Sequence, residues 1–360
     1  MLLDFLFADE PDAPGEFSLM RISRRAMATR FEVAIPVGSH PNPVAAAEDA
    51  LDLIDELEDQ LTIFRDHSEM SRLNAAATNH PVEVEPLLFE LLARCAVWTN
   101  ETAGAFDIAT GALTKAWGFY RREGCVPSQR DLIAAMRASG FRHVVLDAER
   151  RTVKFRVIGL ELNLGAVGKG YALDRAAELL QTKWRVRSAL LHAGGSSVYA
   201  IGTPPGDFRG WPCRLKHPDE PDESLGVVFL RDAGLGTSAA TFQFFEYKGR
   251  KLGHLLDPRT GWPATGTSNA SVIAPSAAEA DAMSTAGFVF GAVGMDRLTR
   301  LRPSLGAVVL NEPVLPTRPA GVREERDVRP DGQNTSQLLV FNLAPDAYSP
   351  PVRPCPVYAE

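Results

Sequence analysis

Cysteine is scarce in this chain: Cys95, Cys125, Cys213 and Cys355 are its four thiols in 360 residues. None forms a Cys-x-x-Cys pair, which removes the common dithiol and zinc-binding patterns, and a chain this long does not need disulfide staples. They read as isolated thiols in a reducing compartment. Long apolar runs are missing too; no stretch approaches the ~18 residues of a membrane-spanning helix. Positive charge is in deficit, with 38 Lys and Arg against 45 Asp and Glu and a net charge of −7. That balance argues against nucleic acid or an anionic membrane surface as partner. An anionic small molecule stays open wherever a local Lys, Arg or metal ion supplies positive charge. The opening MLLDFLFADEPDAPGEF has an apolar patch but no basic n-region and no early cysteine for lipid attachment. It therefore reads as a leader without export signal, and the protein as cytoplasmic.

What is present fits a soluble globular protein, with 45% apolar and 23% charged residues. Phe31, Val33 and Ile35 alternate as in a half-buried strand. Apolar residues over 44–61 recur at helical spacing with acidic residues opposite, and a second such helix covers 86–101. Residues 128–138 suggest another, with Ser128 as N-cap. Strand patterns flank the turn at 148–151, forming a hairpin. Leu162–Leu164 reads as a strand leading through the glycine–lysine turn 165–170 into a helix over 171–182. Residues 188–202 give a strand, a glycine break at Gly194-Gly195, and a second strand. Thr241–Tyr247 is expected to pair with Arg250–Leu256 across Lys248-Gly249. Residues 277–290 form a helix of small residues. Residues 312–336 lack periodicity and read as a surface excursion, with a late strand over 337–342. Strands, hairpins and helices follow one another without regular βαβ order, so the fold class is α+β.

The stretch that organises the chemistry is His254-Leu-Leu-Asp257-Pro258-Arg259-Thr260-Gly261. Pro258 and Gly261 punctuate it as a turn between extended segments. Asp257 is placed to orient the His254 imidazole, whose other nitrogen would act as a base near neutral pH. Farther on, Asp281 and Thr285 share a helix face. A carboxylate and a hydroxyl, completed by backbone carbonyls and phosphate oxygens, is how Mg²⁺ is commonly held. Taken alone, an Asp at such a position is more often a cap or a solvated residue. The Gly165-x-x-Gly168-Lys169-Gly170 spacing suits a phosphate at a helix N-terminus but is not a Walker loop, and a plain structural turn explains it as well.

In order along the chain, Met27-Ala-Thr29, Ser68…Asn74, Gly104-Ala-Phe-Asp107, Trp117-Gly-Phe119, Leu164-Gly165…Lys169-Gly170-Tyr171…Asp174, Gly194-Gly195, Thr237-Ser238, His254…Gly261 and Asp281…Thr285 resemble the ApbE family, the FAD:protein FMN transferases. The resemblance covers residues 20–312 and leaves a leader at 1–19 and a C-terminal extension at 313–360. It implies an α+β fold related to the tunnelling fold, with antiparallel sheets, flanking helices and a central ligand cleft. It also implies FAD as substrate, Mg²⁺ as cofactor, and a flavoprotein acceptor whose Ser or Thr takes FMN while AMP leaves. Carried over, Asp281, Thr285 and a carbonyl at Gly168 would hold the metal. His254 would be the base, helped by Asp257. Met27, Gly104, Asp107, Lys169, Asp174, Gly195 and Thr237 would line the FAD site.

The motifs depart from the family pattern at Ala28, Ile108-Ala109, Asn163, Ala166, Gly168, Ser196 and Ala239-Ala240-Thr241. Several of these swaps remove a polar group or add a methyl where backbone would approach a ligand. Two further readings therefore stand beside the transferase: a flavin-binding carrier or sensor without turnover, and an FAD pyrophosphatase with water as acceptor.

Overall fold

We describe the protein from a computed structural model, over residues 3–5, 17–121, 123–220, 222–239, 244–312 and 337–351. The first strands are β1 (Leu3–Phe5), β2 (Leu19–Ala26) and β3 (Thr29–Pro36). Helices α1 (Pro43–Leu61) and α2 (Glu69–Ala76), strand β4 (Val82–Glu83), and helices α3 (Pro86–Glu101), α4 (Gly111–Ala116) and α5 (Gln129–Arg137) follow. Next come β5 (Val144–Asp147), β6 (Thr152–Phe155), α6 (Gly168–Thr182), β7 (Ala189–Ala193), β8 (Ser197–Ile201), β9 (Trp211–Lys216), β10 (Ser224–Leu230) and β11 (Ala233–Ala239). The chain continues through β12 (Phe244–Tyr247), β13 (Arg250–Gly253), β14 (Thr267–Ala274), α7 (Ala277–Leu301), β15 (Gly306–Asn311), β16 (Leu338–Phe341) and β17 (Tyr348–Ser349).

An eight-stranded sheet in the order β16-β15-β14-β11-β8-β7-β3-β2 is the spine, and its neighbouring strands run antiparallel. Strand alternation divides its two faces. Phe31, Val33, Ile35, Leu191 and Val272 point to one side, where they form the main core with α1, α3, α6 and α7. Ala34, Leu190, Val198 and Leu235 point to the other, against Trp211, Cys213 and Val228 of a four-stranded sheet ordered β1-β9-β10-β17. The result is three layers: helices, large sheet, small sheet. This agrees with the α+β expectation.

Most predicted elements stand where periodicity put them, including α1, α3, α5 with Ser128 as its N-cap, and the β5–β6 hairpin. The β12–β13 hairpin is present, while Thr241–Gln243 lie outside the described residues. The late strand is β16, paired with β15. Residues 6–16 of the expected leader and 313–336 of the expected excursion also lie outside the described residues.

Two segments differ from expectation. Leu162–Leu164 is not a strand. The Asn74 side chain takes the place of a strand partner there, accepting the Leu162 N–H and donating to the Leu162 carbonyl, both at 2.9 Å. Helix α6 then begins at Gly168, so Lys169 and Gly170 belong to its first turn rather than to a loop. Helix α7 runs past 290 in its hydrogen bonding but is broken at Gly291, whose φ of 68° and ψ of −166° are open essentially to glycine alone. Among the described residues no helix is long and apolar enough to cross a membrane.

Candidate functional site

The site is built where the first turns of α6 and α7 meet strands β8 and β11. Helix α7 lies almost on the backbone beneath it. A methyl group on Gly236 would sit 2.4 Å from the Ala280 carbonyl carbon, and one on Gly170 would sit 2.2 Å from the Ala277 carbonyl oxygen. Only side chains without a Cβ allow that approach. The exposed N–H groups at the start of α7 are satisfied locally. Ser276 Oγ accepts from Glu279 at 3.2 Å, and Asp174 accepts from Ala277 at 2.7 Å and Ala278 at 2.9 Å. Burial pushes the Asp174 carboxyl up to about 6, against the pull of those two N–H groups.

One turn into α7, Asp281 is buried. Its Oδ2 accepts the Gly170 N–H at 2.9 Å and the Ser197 hydroxyl at 3.0 Å. Its Oδ1 accepts no hydrogen bond among the described residues. Burial raises this carboxyl to about 7, while the Lys169 charge, Ser197 and Gly170 act in the other direction. Lys169 Nζ donates to Ser196 Oγ at 2.5 Å, which holds the ammonium over the β7–β8 turn. One turn beyond Asp281, the Thr285 hydroxyl donates to the Asp281 carbonyl at 3.1 Å and lies 3.5 Å from Ser238 Oγ. Ser238 Oγ is 2.9 Å from Ser284 Oγ. Gly168, the first residue of α6, is buried.

The donor set fits one small hard cation held jointly with a ligand. It offers a buried carboxylate with an unused oxygen and a hydroxyl on the next helical turn. Among the described residues no group of three or more His, Cys, Asp or Glu side chains is placed to hold a metal. Asp281 and Thr285 offer two side-chain donors, fewer than a closed structural metal site uses.

Gly194 and Gly195, with φ of 62° and 70°, form the β7–β8 turn. A Cβ on Gly194 would lie 2.1 Å from Thr29 Oγ1. The β2–β3 turn containing Met27, itself left-handed at φ 48°, therefore adjoins the Gly194–Ser197 segment.

His254 and its turn form a second group. Asp257 is buried, and its carbonyl accepts the N–H groups of Thr260 at 3.2 Å and Gly261 at 2.8 Å, which closes the predicted turn. Its carboxylate grips Arg259 at both ends: Oδ1 accepts from Nε and Oδ2 from a terminal guanidinium nitrogen, each at 2.9 Å. The sequence expectation set that carboxylate against His254; in the structure it is committed to Arg259. The His254 ring stands edge-on to Phe119, 6.5 Å between centroids. Phe119 in turn packs on Phe245, which meets Trp117, and Trp117 Nε1 donates to the Gly261 carbonyl at 2.8 Å. Gly104 adjoins the same turn, since a Cβ there would contact Arg259 Cγ at 3.7 Å.

Three other expected FAD-lining residues have their side chains occupied by protein. Asp107 accepts the N–H groups of Ala109 at 2.7 Å and Phe141 at 2.8 Å, and burial raises its carboxyl. Asp174 caps α7. Thr237 faces away from α7, its hydroxyl 3.0 Å from Ser271 Oγ; its N–H, which donates to the Ser196 carbonyl at 2.7 Å, is what ties it to the site. The neighbour that faces Thr285 is Ser238. Sequence reasoning missed Ser238 and Ser197. The period-two pattern Gly234, Gly236, Ser238 marked the small-residue face of β11 and was the signal available.

The sequence profile of the ApbE family matches residues 27–309. The FAD:protein FMN transferase of Treponema pallidum (strain Nichols) is 34% identical over 280 residues, covering 74% of this chain and 77% of its own. That of Klebsiella pneumoniae (strain 342) is 30% identical over 270 residues, covering 74% and 83%. Among solved structures, the apbe protein of Thermotoga maritima superposes with a TM-score of 0.73 at 28% identity, over 82% of this chain and 94% of that one. The apo flavinyl transferase ApbE of Pseudomonas stutzeri gives a TM-score of 0.74 at 25% identity, over 90% and 95%.

Proposed function

This chain belongs to the ApbE family, and from that premise we propose that it is an Mg²⁺-dependent FAD:protein FMN transferase. The acceptor is a flavoprotein that presents a Ser or Thr hydroxyl. The observation that carries the reading is the meeting at the Gly194–Ser197 turn of Asp281, from the second turn of α7, and Lys169, from the first turn of α6, with the Thr285 hydroxyl one helical turn beyond Asp281.

Asp281 Oδ1 and the Thr285 hydroxyl, with the carbonyl at Gly168, would hold Mg²⁺. When bound, the ion supplies charge neutralisation to the diphosphate of FAD. Lys169 adds a positive charge anchored through Ser196. Gly194 and Gly195 keep the β7–β8 turn free of side chains. In the reaction, the acceptor oxygen attacks the phosphorus on the FMN side of the diphosphate. The P–O bond to the AMP phosphate breaks, and AMP leaves with the bonding pair. His254 takes the hydroxyl proton as the new P–O bond forms. The Arg259–Asp257 clamp fixes the turn that follows His254. Positioning and charge stabilisation are the main demands of phosphoryl transfer, so a site with few chemical groups suffices.

The test incubates the protein with FAD, Mg²⁺ and an acceptor flavoprotein, following AMP release and covalent flavin fluorescence on a denaturing gel. AMP together with labelled acceptor is the expected outcome. AMP without label would mean hydrolysis, and bound flavin with neither product would mean a carrier. His254→Ala should keep FAD affinity and lose transfer; an unchanged transfer rate would remove its role as base.

A further inference from the structure

Helix α5 is unusual in how little it buries. Its only fully buried residue is Ala135, although Leu132, Ile133 and Met136 stand on it. Arg130, Ile133 and Arg137 share its outer face at helical spacing, and Ile133 is 46% exposed. Beside them runs a groove of about 390 Å³ lined by Leu132, Ile133, Met136, Arg137, Arg142 and Thr260. A second hollow, sharing Ile133 and Arg137 with the first, lies on the Arg130 side of the helix. Neither Arg130 nor Arg137 has a carboxylate within ion-pair distance among the described residues. In a chain of net charge −7, unpaired guanidiniums framing apolar side chains are a local exception.

The groove adjoins the His254–Gly261 turn. Thr260 is part of the His254–Gly261 turn. A Cβ on Gly261 would lie 2.5 Å from Met136 Sδ, so the turn rests directly on α5. From Gly261 the contacts lead through Trp117 to Phe245 and Phe119, and so to the His254 ring.

We propose that this groove docks the segment of the acceptor protein carrying the modified hydroxyl, and that the segment is acidic with apolar residues among its acids. The proposal rests on the transferase reading, which requires a second macromolecule beside His254. Charge complementarity selects the occupant: apolar anchors fill the space around Ile133 and Met136, while carboxylates meet Arg130, Arg137 and Arg142. Exposed pairs of this kind contribute mainly to selectivity and encounter rate, and weaken with salt.

The probes are two fluorescein-labelled peptides with a central Thr flanked by Leu, identical except that one carries Glu where the other carries Lys. Binding is read by anisotropy at low and high salt, on the full chain. The Glu peptide should bind wild type at least ~10-fold tighter than the Lys peptide, with the margin shrinking in high salt. R130E/R137E should reverse the preference, and I133D should weaken both peptides. Flavin fluorescence should report unchanged FAD affinity in both variants. Equal binding of the peptides to wild type, or no response to R130E/R137E, overturns the proposal. So does a loss of FAD affinity in R130E/R137E, which would give the groove to the nucleotide. A concentration-dependent dimer abolished by I133D would give it to a second copy, with the same consequence. Glu-peptide selectivity without AMP release from FAD would sink the transferase reading and leave the docking surface standing. Transfer without selectivity would do the reverse.

Discussion

Asp281 Oδ2 accepts the backbone N–H of Gly170 at 2.9 Å, a bond from the second turn of α7 to the first turn of α6. The carboxylate thus has a structural oxygen and a free one, and the two roles separate by substitution. Asp281→Asn keeps an oxygen for Gly170 and Ser197 while removing the charge that holds a cation. We expect its AMP release to fall at least ~100-fold with urea stability within about 1 kcal/mol of wild type. Asp281→Ala also strands two buried donors and should lose a further ~1–3 kcal/mol of stability. An Asn variant with wild-type turnover would dismiss the metal role.

Gly236 governs how close α7 lies to the sheet. A methyl there meets backbone, the Ala280 carbonyl carbon at 2.4 Å, which cannot rotate aside as a side chain would. Gly236→Ala should therefore push the first half of α7 outward and cost about 1–3 kcal/mol by overpacking. Because Asp281 and Thr285 ride on that helix, FAD affinity in the presence of Mg²⁺ should weaken as well. Urea unfolding and flavin titration check the two effects together. A variant as stable as wild type would show that the helix has slack.

The parts of the fold that declared themselves in the sequence are those whose cause is local. The apolar spacing of α1, the Ser128 cap and the Pro258–Gly261 punctuation act within a few residues. What stayed hidden depends on distant partners. Gly168 and Gly170 disfavour a helix by propensity, yet α6 starts there because α7 must come within contact of Gly170. Asp107 and Asp174 carry the right chemistry for a ligand site, but Asp107 spends one oxygen on Ala109 and the other on the distant Phe141, and Asp174 spends both on Ala277 and Ala278, far along the chain. Thr237 and Ser238 are adjacent, and a strand sends one to each face; only the position of α7 decides which meets Thr285. The Asp281–Thr285 pairing was legible because a helix places such residues together whatever surrounds it.

On the other face of the sheet, Glu32 stands opposite His192 across β3 and β7. Its carboxyl is held below its ordinary 4.5, chiefly by the bond to His192, with the charges of His192, Arg21 and Arg30 assisting against burial. The folded state therefore binds this proton less readily than the unfolded chain. The stabilisation is present above about pH 4.5 and is lost as pH falls through the lower folded value, at roughly 1.4 kcal/mol for each tenfold change in proton affinity. Glu32→Gln should flatten the rise of unfolding free energy between about pH 3 and 5, measured by urea titration at each pH. Parallel curves for variant and wild type would mean the pair contributes nothing.

The Asp257 carboxylate raises a question that a double-mutant cycle answers. If it acts through Arg259, as its two bonds at 2.9 Å indicate, each single variant loosens the same clamp. Asp257→Ala, Arg259→Ala and the double variant should then slow transfer by similar factors, with a coupling of roughly 0.5–3 kcal/mol between the two positions. If it acts by orienting His254, Arg259→Ala should be nearly silent and Asp257→Ala should match the double variant. FAD affinity measured alongside separates a loosened turn from a lost ligand contact, because the first slows transfer while leaving binding intact. We expect the three variants to cluster, since Arg259 holds both carboxylate oxygens and Gly104 closes over its side chain.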